Sequence, residues 1–121
     1  MNSAKVKAAL EEAMAIDGAL GACLVDYQSG MTLGTAGDTG MDLEMAAAGN
    51  TEVVRSKLRA MRALGLQDRI EDVLFTLGTQ FHLIRMVKDA DSLFLYLALS
   101  RGPANLGMAK FQLSSAEQKL V

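Results

Sequence analysis

The chain has 121 residues and a formal net charge of −2, with 50% hydrophobic and 21% charged residues. That length suits one domain spanning 1–121, with a core large enough to need no covalent staples, and the mild acidity excludes the broad basic surface that nucleic-acid binding requires. The single cysteine, Cys23, excludes an internal disulfide, and no uncharged apolar run reaches membrane-spanning length.

Ser3 to Met14 is expected to form an amphipathic helix, capped by Ser3, with Val6, Leu10 and Met14 on one face. Asp17-Gly18 ends it. "ALGACLVDY" then reads as a buried strand, "QSG" at Gln28 to Gly30 as a tight turn, and "MTLGTAG" as a second strand broken by "DTG" at Asp38 to Gly40. Asp42 to Leu64 is the longest helical candidate, with Asp42 as its cap and Gly65 just past its end. Three strands follow closely: "IEDVLFTLG", "QFHLIRMVK" and "SLFLYLALS". Their short spacers imply antiparallel hairpins. The last run is apolar on both faces, which marks a central strand. Pro103 suits the first turn of a final helix, in which Leu106, Ala109, Leu113, Ala116 and Leu120 recur at helical spacing. The class is α+β: one αββαβββα domain, a five-stranded antiparallel sheet flanked by helices on both faces.

Five glycines between Ile16 and Gly37 raise the question of a phosphate cradle. A Walker loop needs a Gly-Lys pair, and none occurs in the chain. A dinucleotide fingerprint needs Gly-x-Gly-x-x-Gly at a strand-to-helix turn, whereas Gly18-x-x-Gly21 enters a strand. Gly34-x-x-Gly37-x-x-Gly40 approaches a helix but lacks the compact pattern. The structural reading is that Gly21 admits a close neighbour and Gly30 makes the hairpin.

No catalytic constellation stands out. His82 is the only histidine, too few for the usual multi-histidine metal site. Cys23 reads as a small buried apolar residue, and a Cys23–His82 dyad would need a spatial contact that spacing does not show. Neither Ser29 nor Ser100 lies in Gly-x-Ser-x-Gly. Asp26, Glu71 and Asp72 could pair in space, as turn and edge carboxylates commonly do. No catalytic residue, cofactor or metal site is assigned, and the expectation is that the chain is not an enzyme. Eight methionines and no tryptophan suit either gap-filling in a core poor in aromatics or a surface adapted to a partner.

The element order and the stretch "IDGALGACLVDYQSGMTLGTAG" resemble the roadblock/dynein light-chain family. Its pattern of an apolar residue, x-Gly-x-x-Gly, a short strand, Asp, two variable residues and Ser-Gly is filled by Ile16, Gly18, Gly21, Asp26, Ser29 and Gly30. The methionine- and alanine-rich start of the middle helix departs from it. The resemblance covers nearly the whole chain and implies a non-catalytic homodimer, in which the middle helices of two protomers pack together and the strands after them join edge to edge. Bacterial members, which this short form resembles, often accompany a small Ras-like GTPase, sometimes beside a sensor kinase. The resemblance thus implies a cytoplasmic regulator or scaffold in bacterial signalling, polarity or motility.

The residues of the middle helix supply candidates for both contacts. Leu43, Ala47, Val54, Leu58 and Met61 share a stripe that should cover the sheet. Ala46, Gly49, Val53 and Ala60 form a neighbouring flank of mostly small residues that would let a second helix approach closely, and Val73 and Phe75 are candidates on the following strand. The alternative is a helix buried within its own protomer. Arg55, Arg59 and Arg62 are candidates for GTPase contact, against the simpler reading of a solvated face with intrahelical ion pairs. Two rival functions remain open on sequence alone. One is a small-ligand sensor with a pocket between sheet and helix, and the other a hydrolase with a dispersed site.

Overall fold

A computed structural model describes residues 2–37 and 40–121; the break expected at Asp38 and Thr39 lies outside the described residues. The elements are α1 (Ser3–Met14), β1 (Ala19–Asp26), β2 (Thr32–Ala36), α2 (Leu43–Ala63), β3 (Asp72–Thr76), β4 (Gln80–Met86), β5 (Leu93–Ser100) and α3 (Leu106–Gln118). The strands form one antiparallel sheet in the order β2-β1-β5-β4-β3. β5 is central, as its two-sided apolar character requires, and every residue from Leu93 to Leu99 is buried.

Strand alternation sorts these residues into two cores. Leu93, Leu95, Leu97 and Leu99 join Leu24, Leu83 and the apolar faces of α1 and α3. Phe94, Tyr96 and Ala98 join Cys23, Val25, Ile84 and the inner face of α2. Helices therefore cover both sides of the sheet, in unequal number. A helix about 10 Å across spans roughly two strands at 4.8 Å spacing. α1 and α3 share one face, whereas α2 stands alone on the other and packs mainly against β1 and β2. Cover thins toward β3 on that face: Ile84 of β4 is still buried against the α2 core, but among the described residues no second helix lies over the β3 edge. Val73, Phe75 and His82 lie there half-buried.

Two boundaries differ from the sequence-based expectation. Asn2, not Ser3, caps α1, its Oδ1 accepting from the Ala4 N–H at 2.7 Å. Pro103 precedes α3 by a short turn, and Asn105 caps that helix by accepting from the Met108 N–H at 3.0 Å. Asp42 caps α2 as expected. Two glycines do what the motif needs of them. Gly21 is the point where α2 meets the sheet, and a Cβ there would stand 2.9 Å from Leu43 Cδ2. Gly18 turns the chain at φ 87°, with the Ser100 carbonyl oxygen 2.8 Å from where a Cβ would sit.

Candidate functional site

The inner stripe of α2 is as expected: Ala47, Val54 and Met61 are buried, and Leu43 and Leu58 are half-buried against the sheet. The flank is open. Gly49, Val53 and Ala60 are exposed and Ala46 is half-buried, while Met45, also outward, is 71% exposed. Val73 and Phe75 sit on the same side of the sheet as α2, on the edge strand β3, opposite Ile84 and His82 of β4. The open flank of α2 and the half-buried Val73 and Phe75 of the β3 edge thus form one largely apolar tract on that side of the sheet.

The three arginines, grouped by the sequence, differ in what engages them. Arg55 is held within the chain: its Nε donates to the Tyr27 carbonyl at 2.7 Å and its Nη2 to the Gln28 carbonyl at 2.7 Å. Its Nη1 pairs with Glu52 at 3.0 Å. Arg59 and Arg62 are exposed and make no ion pair or side-chain hydrogen bond among the described residues. Together with Tyr27, Gln28 and Leu58, the three arginines line a groove of about 330 Å³ between α2 and the β1–β2 turn. Sequence reasoning did not find this groove, because Tyr27 and Leu58 lie far apart in the chain. The Asp26–Gly30 turn signal was the only hint of it.

The turn that walls the groove is tied down from several sides. Asp26 Oδ1 accepts from the Gln28 N–H at 2.9 Å and from the Ser92 hydroxyl at 2.9 Å. The Ser92 hydroxyl, followed by the Gln28 N–H, holds the Asp26 carboxyl below the usual carboxylate range. Tyr27 N–H donates to the Ser92 carbonyl at 2.8 Å. The motif's Asp26 and Ser29 therefore act on backbone geometry, Ser29 Oγ accepting from the Met31 N–H at 3.2 Å.

The residues with chemical potential are placed for structure. Cys23 is buried, and desolvation pushes its thiol up to about 12. Tyr96, on the strand between β1 and β4, separates Cys23 from His82. Cys23 pairs in register with Tyr96, whose hydroxyl meets His82 Nδ1 at 3.1 Å. His82 Nε2 lies 2.7 Å from Gln80 Oε1, so the Nε2–H tautomer satisfies both contacts, and burial lowers the imidazole pKa. Thr51, a buried polar residue on the inner side of α2, donates to the Ala47 carbonyl at 2.8 Å. Asp26 and Asp72 do not meet. Asp72 pairs with Arg85 at 3.7 Å and Lys110 at 3.8 Å, joining Glu117, whose buried carboxylate accepts from Arg85 Nε at 2.9 Å. A lone carboxylate near the end of α3 gave no sequence signal for that network. Among the described residues, no three His, Cys, Asp or Glu side chains could hold a metal ion, and no helix is long and apolar enough to cross a membrane. What the surface offers is contact: an open apolar tract and an arginine-rimmed groove.

No protein-family model and no curated protein matches the sequence. The fold does match solved structures, and they define its class: the chain has a bacterial roadblock-type fold. A roadblock/LC7 domain from Streptomyces avermitilis matches at TM-score 0.79 and 12% identity, over 93% of this chain and 91% of that one. Within the class it is similar to MglB of Myxococcus xanthus, at TM-score 0.85 and 16% identity over 99% of this chain and 94% of that one. The gliding protein MglB of Thermus thermophilus matches at TM-score 0.80 and 20% identity, over 99% and 90%. Identities this low carry the fold alone.

Proposed function

We propose that this chain is a non-catalytic homodimeric regulator or scaffold of a small Ras-like GTPase, acting by protein–protein contact in the bacterial cytoplasm. The observation that carries the reading is the partly covered face of the sheet, in a fold shared with the bacterial gliding protein MglB. A second copy of α2 laid over β4 and β3 would complete that face as α1 and α3 complete the other. Gly49, Val53 and Ala60 would let the two α2 helices approach closely, with Val73 and Phe75 beneath them. Joining β3 to its symmetry mate would remove an exposed sheet edge in the same step.

The GTPase would dock on the outer surface of α2, where Arg59 and Arg62 are unengaged. Preference for one switch conformation over the other would shift the partner's equilibrium, leaving hydrolysis to the partner's own residues. Sensor-kinase systems are natural company for such a pair. A ligand-sensing reading gains no support from Thr51, whose hydroxyl already has a partner.

Sedimentation of the purified chain tests the assembly. A dimer that Val53→Glu converts to a folded monomer is the expected result, and a wild-type monomer at micromolar concentration would refute it. Passing lysate from the same source, loaded with GDP or a non-hydrolysable GTP analogue, over the immobilised dimer tests the partner. Mass-spectrometric identification of a small GTPase supports the reading, and its absence with folded bait counts against it.

A further inference from the structure

The three arginines stand at i, i+4 and i+7 on one helix. Arg55 and Arg59 are one turn apart, as are Arg59 and Arg62, so two like-charge contacts oppose helix formation. Intrahelical ion pairing would offset that, but Glu52 reaches only Arg55. Arg59 and Arg62 have no carboxylate three or four residues away in either direction. Two uncompensated cations therefore rim one groove of a chain whose net charge is −2.

The groove beneath them has an apolar floor and a pre-formed wall. Its floor is Tyr27 and Leu58, both half-buried. Its far wall is the turn after β1, which Arg55 fastens to α2 through two carbonyls and Asp26 and Tyr27 fasten to Ser92. A wall tied to both α2 and the β4–β5 loop does not have to be ordered on binding, which lowers the cost of association. Beyond Leu58 the groove opens into a hollow of mixed charge, lined by Asp68, Arg69 and Lys88 among others. Positive charge is thus concentrated at the Arg59–Arg62 end.

We infer that this groove binds an acidic protein segment in which an apolar side chain is flanked by carboxylates. The apolar side chain sits on Tyr27 and Leu58, and the carboxylates take the planar donor forks of Arg59 and Arg62. Arg55 positions the wall and makes no contact with the segment. An anionic membrane would engage the same charges, but a flat headgroup layer does not fill a concave apolar floor. The inference rests on the reading that a partner protein docks on α2, and it specifies what that partner must present.

The test uses the intact protein and a fluorescein-labelled peptide in which leucines alternate with paired Glu and Asp residues. The expected result is saturable binding that weakens about tenfold or more in Arg59→Glu/Arg62→Glu, as loss of two charge-assisted contacts implies. Replacing the leucines by serine should also weaken it. Amide shifts on titration should cluster at 27–29 and 58–62. Circular dichroism establishes that the double variant is folded. Absence of saturable binding, equal binding by the double variant, or arginine-dependent sedimentation with phosphatidylserine vesicles without peptide binding would each overturn the inference. A GTPase partner that binds the double variant normally would overturn the groove assignment and leave the regulator reading standing. Peptide binding without any GTPase partner would support the groove and refute that reading.

Discussion

Replacing Arg55 by alanine separates a structural arginine from a docking one. The wild-type side chain donates to two backbone carbonyls, Tyr27 and Gln28, both at 2.7 Å. At full strength two charge-assisted bonds would contribute about 3–6 kcal/mol. Arg55 is 35% exposed, so water re-solvates much of what is lost, and about 1 kcal/mol per bond is the appropriate scale. The Glu52 partner is 66% exposed, so that ion pair adds little. Relief of the Arg55–Arg59 repulsion returns a few tenths of a kcal/mol, leaving a net loss of about 1.5–2 kcal/mol. An unfolding entropy of about 0.25 kcal/mol/K for a chain of 121 residues turns that into a Tm drop of about 6–8 °C. Thermal unfolding followed by circular dichroism at fixed protein concentration measures it. Arg55→Lys should recover less than half the loss, because one ammonium does not reproduce the two-carbonyl fork. Arg59→Ala, which removes no internal contact, should leave Tm within about 1 °C or raise it slightly. An Arg55→Ala protein as stable as wild type would refute the claim that this side chain holds the turn.

Three further outcomes follow from the same contacts. Gly18→Ala should destabilise by at least about 1–2 kcal/mol, because it combines a positive φ with a backbone clash at 2.8 Å; Gly30→Ala, at φ 80° with open space around it, should cost less, and urea titration of both measures the difference. The Asp26 carboxyl, lowered by the Ser92 hydroxyl and the Gln28 N–H, contributes stability that is present above its unfolded pKa near 3.9 and lost as pH falls through the lower folded value. Asp26→Asn should therefore destabilise at neutral pH and lose less of its remaining stability on acidification than wild type, by urea midpoints at the two pH values. Cys23, with its thiol pushed up to about 12, should resist a thiol-specific disulfide reagent in the native protein and react once urea unfolds it; rapid native labelling would contradict its burial.

Much of the fold was legible because its signals are local or periodic. The unbroken apolar run of β5 placed it at the centre of the sheet, and its burial on both faces is what such a run requires. The stripe Leu43, Ala47, Val54, Leu58 and Met61 fixed which side of α2 meets the sheet. The two misplaced helix starts have a common cause. Asn2 stands beside Ser3, and Asn105 follows Pro103 closely, so each helix start offered two competent signals and only backbone geometry selects between them. The candidate site was less legible. Spacing put Arg55, Arg59 and Arg62 on one helical face but did not reveal that a turn 27 residues earlier in the chain supplies carbonyls to the first of them. Nor does hydrophobic periodicity reveal that α2 covers only part of a five-stranded face. That depends on sheet order, which non-local pairing decides.

The most direct measurement is single-turnover GTP hydrolysis and nucleotide release by a small Ras-like GTPase from the same source, with and without a stoichiometric amount of this protein. Binding that discriminates between the GTP and GDP states, with a change in one of the two rates and no hydrolysis by this chain alone, is the expected result. Failure of the folded dimer to bind the GTPase in either nucleotide state would contradict the proposed function.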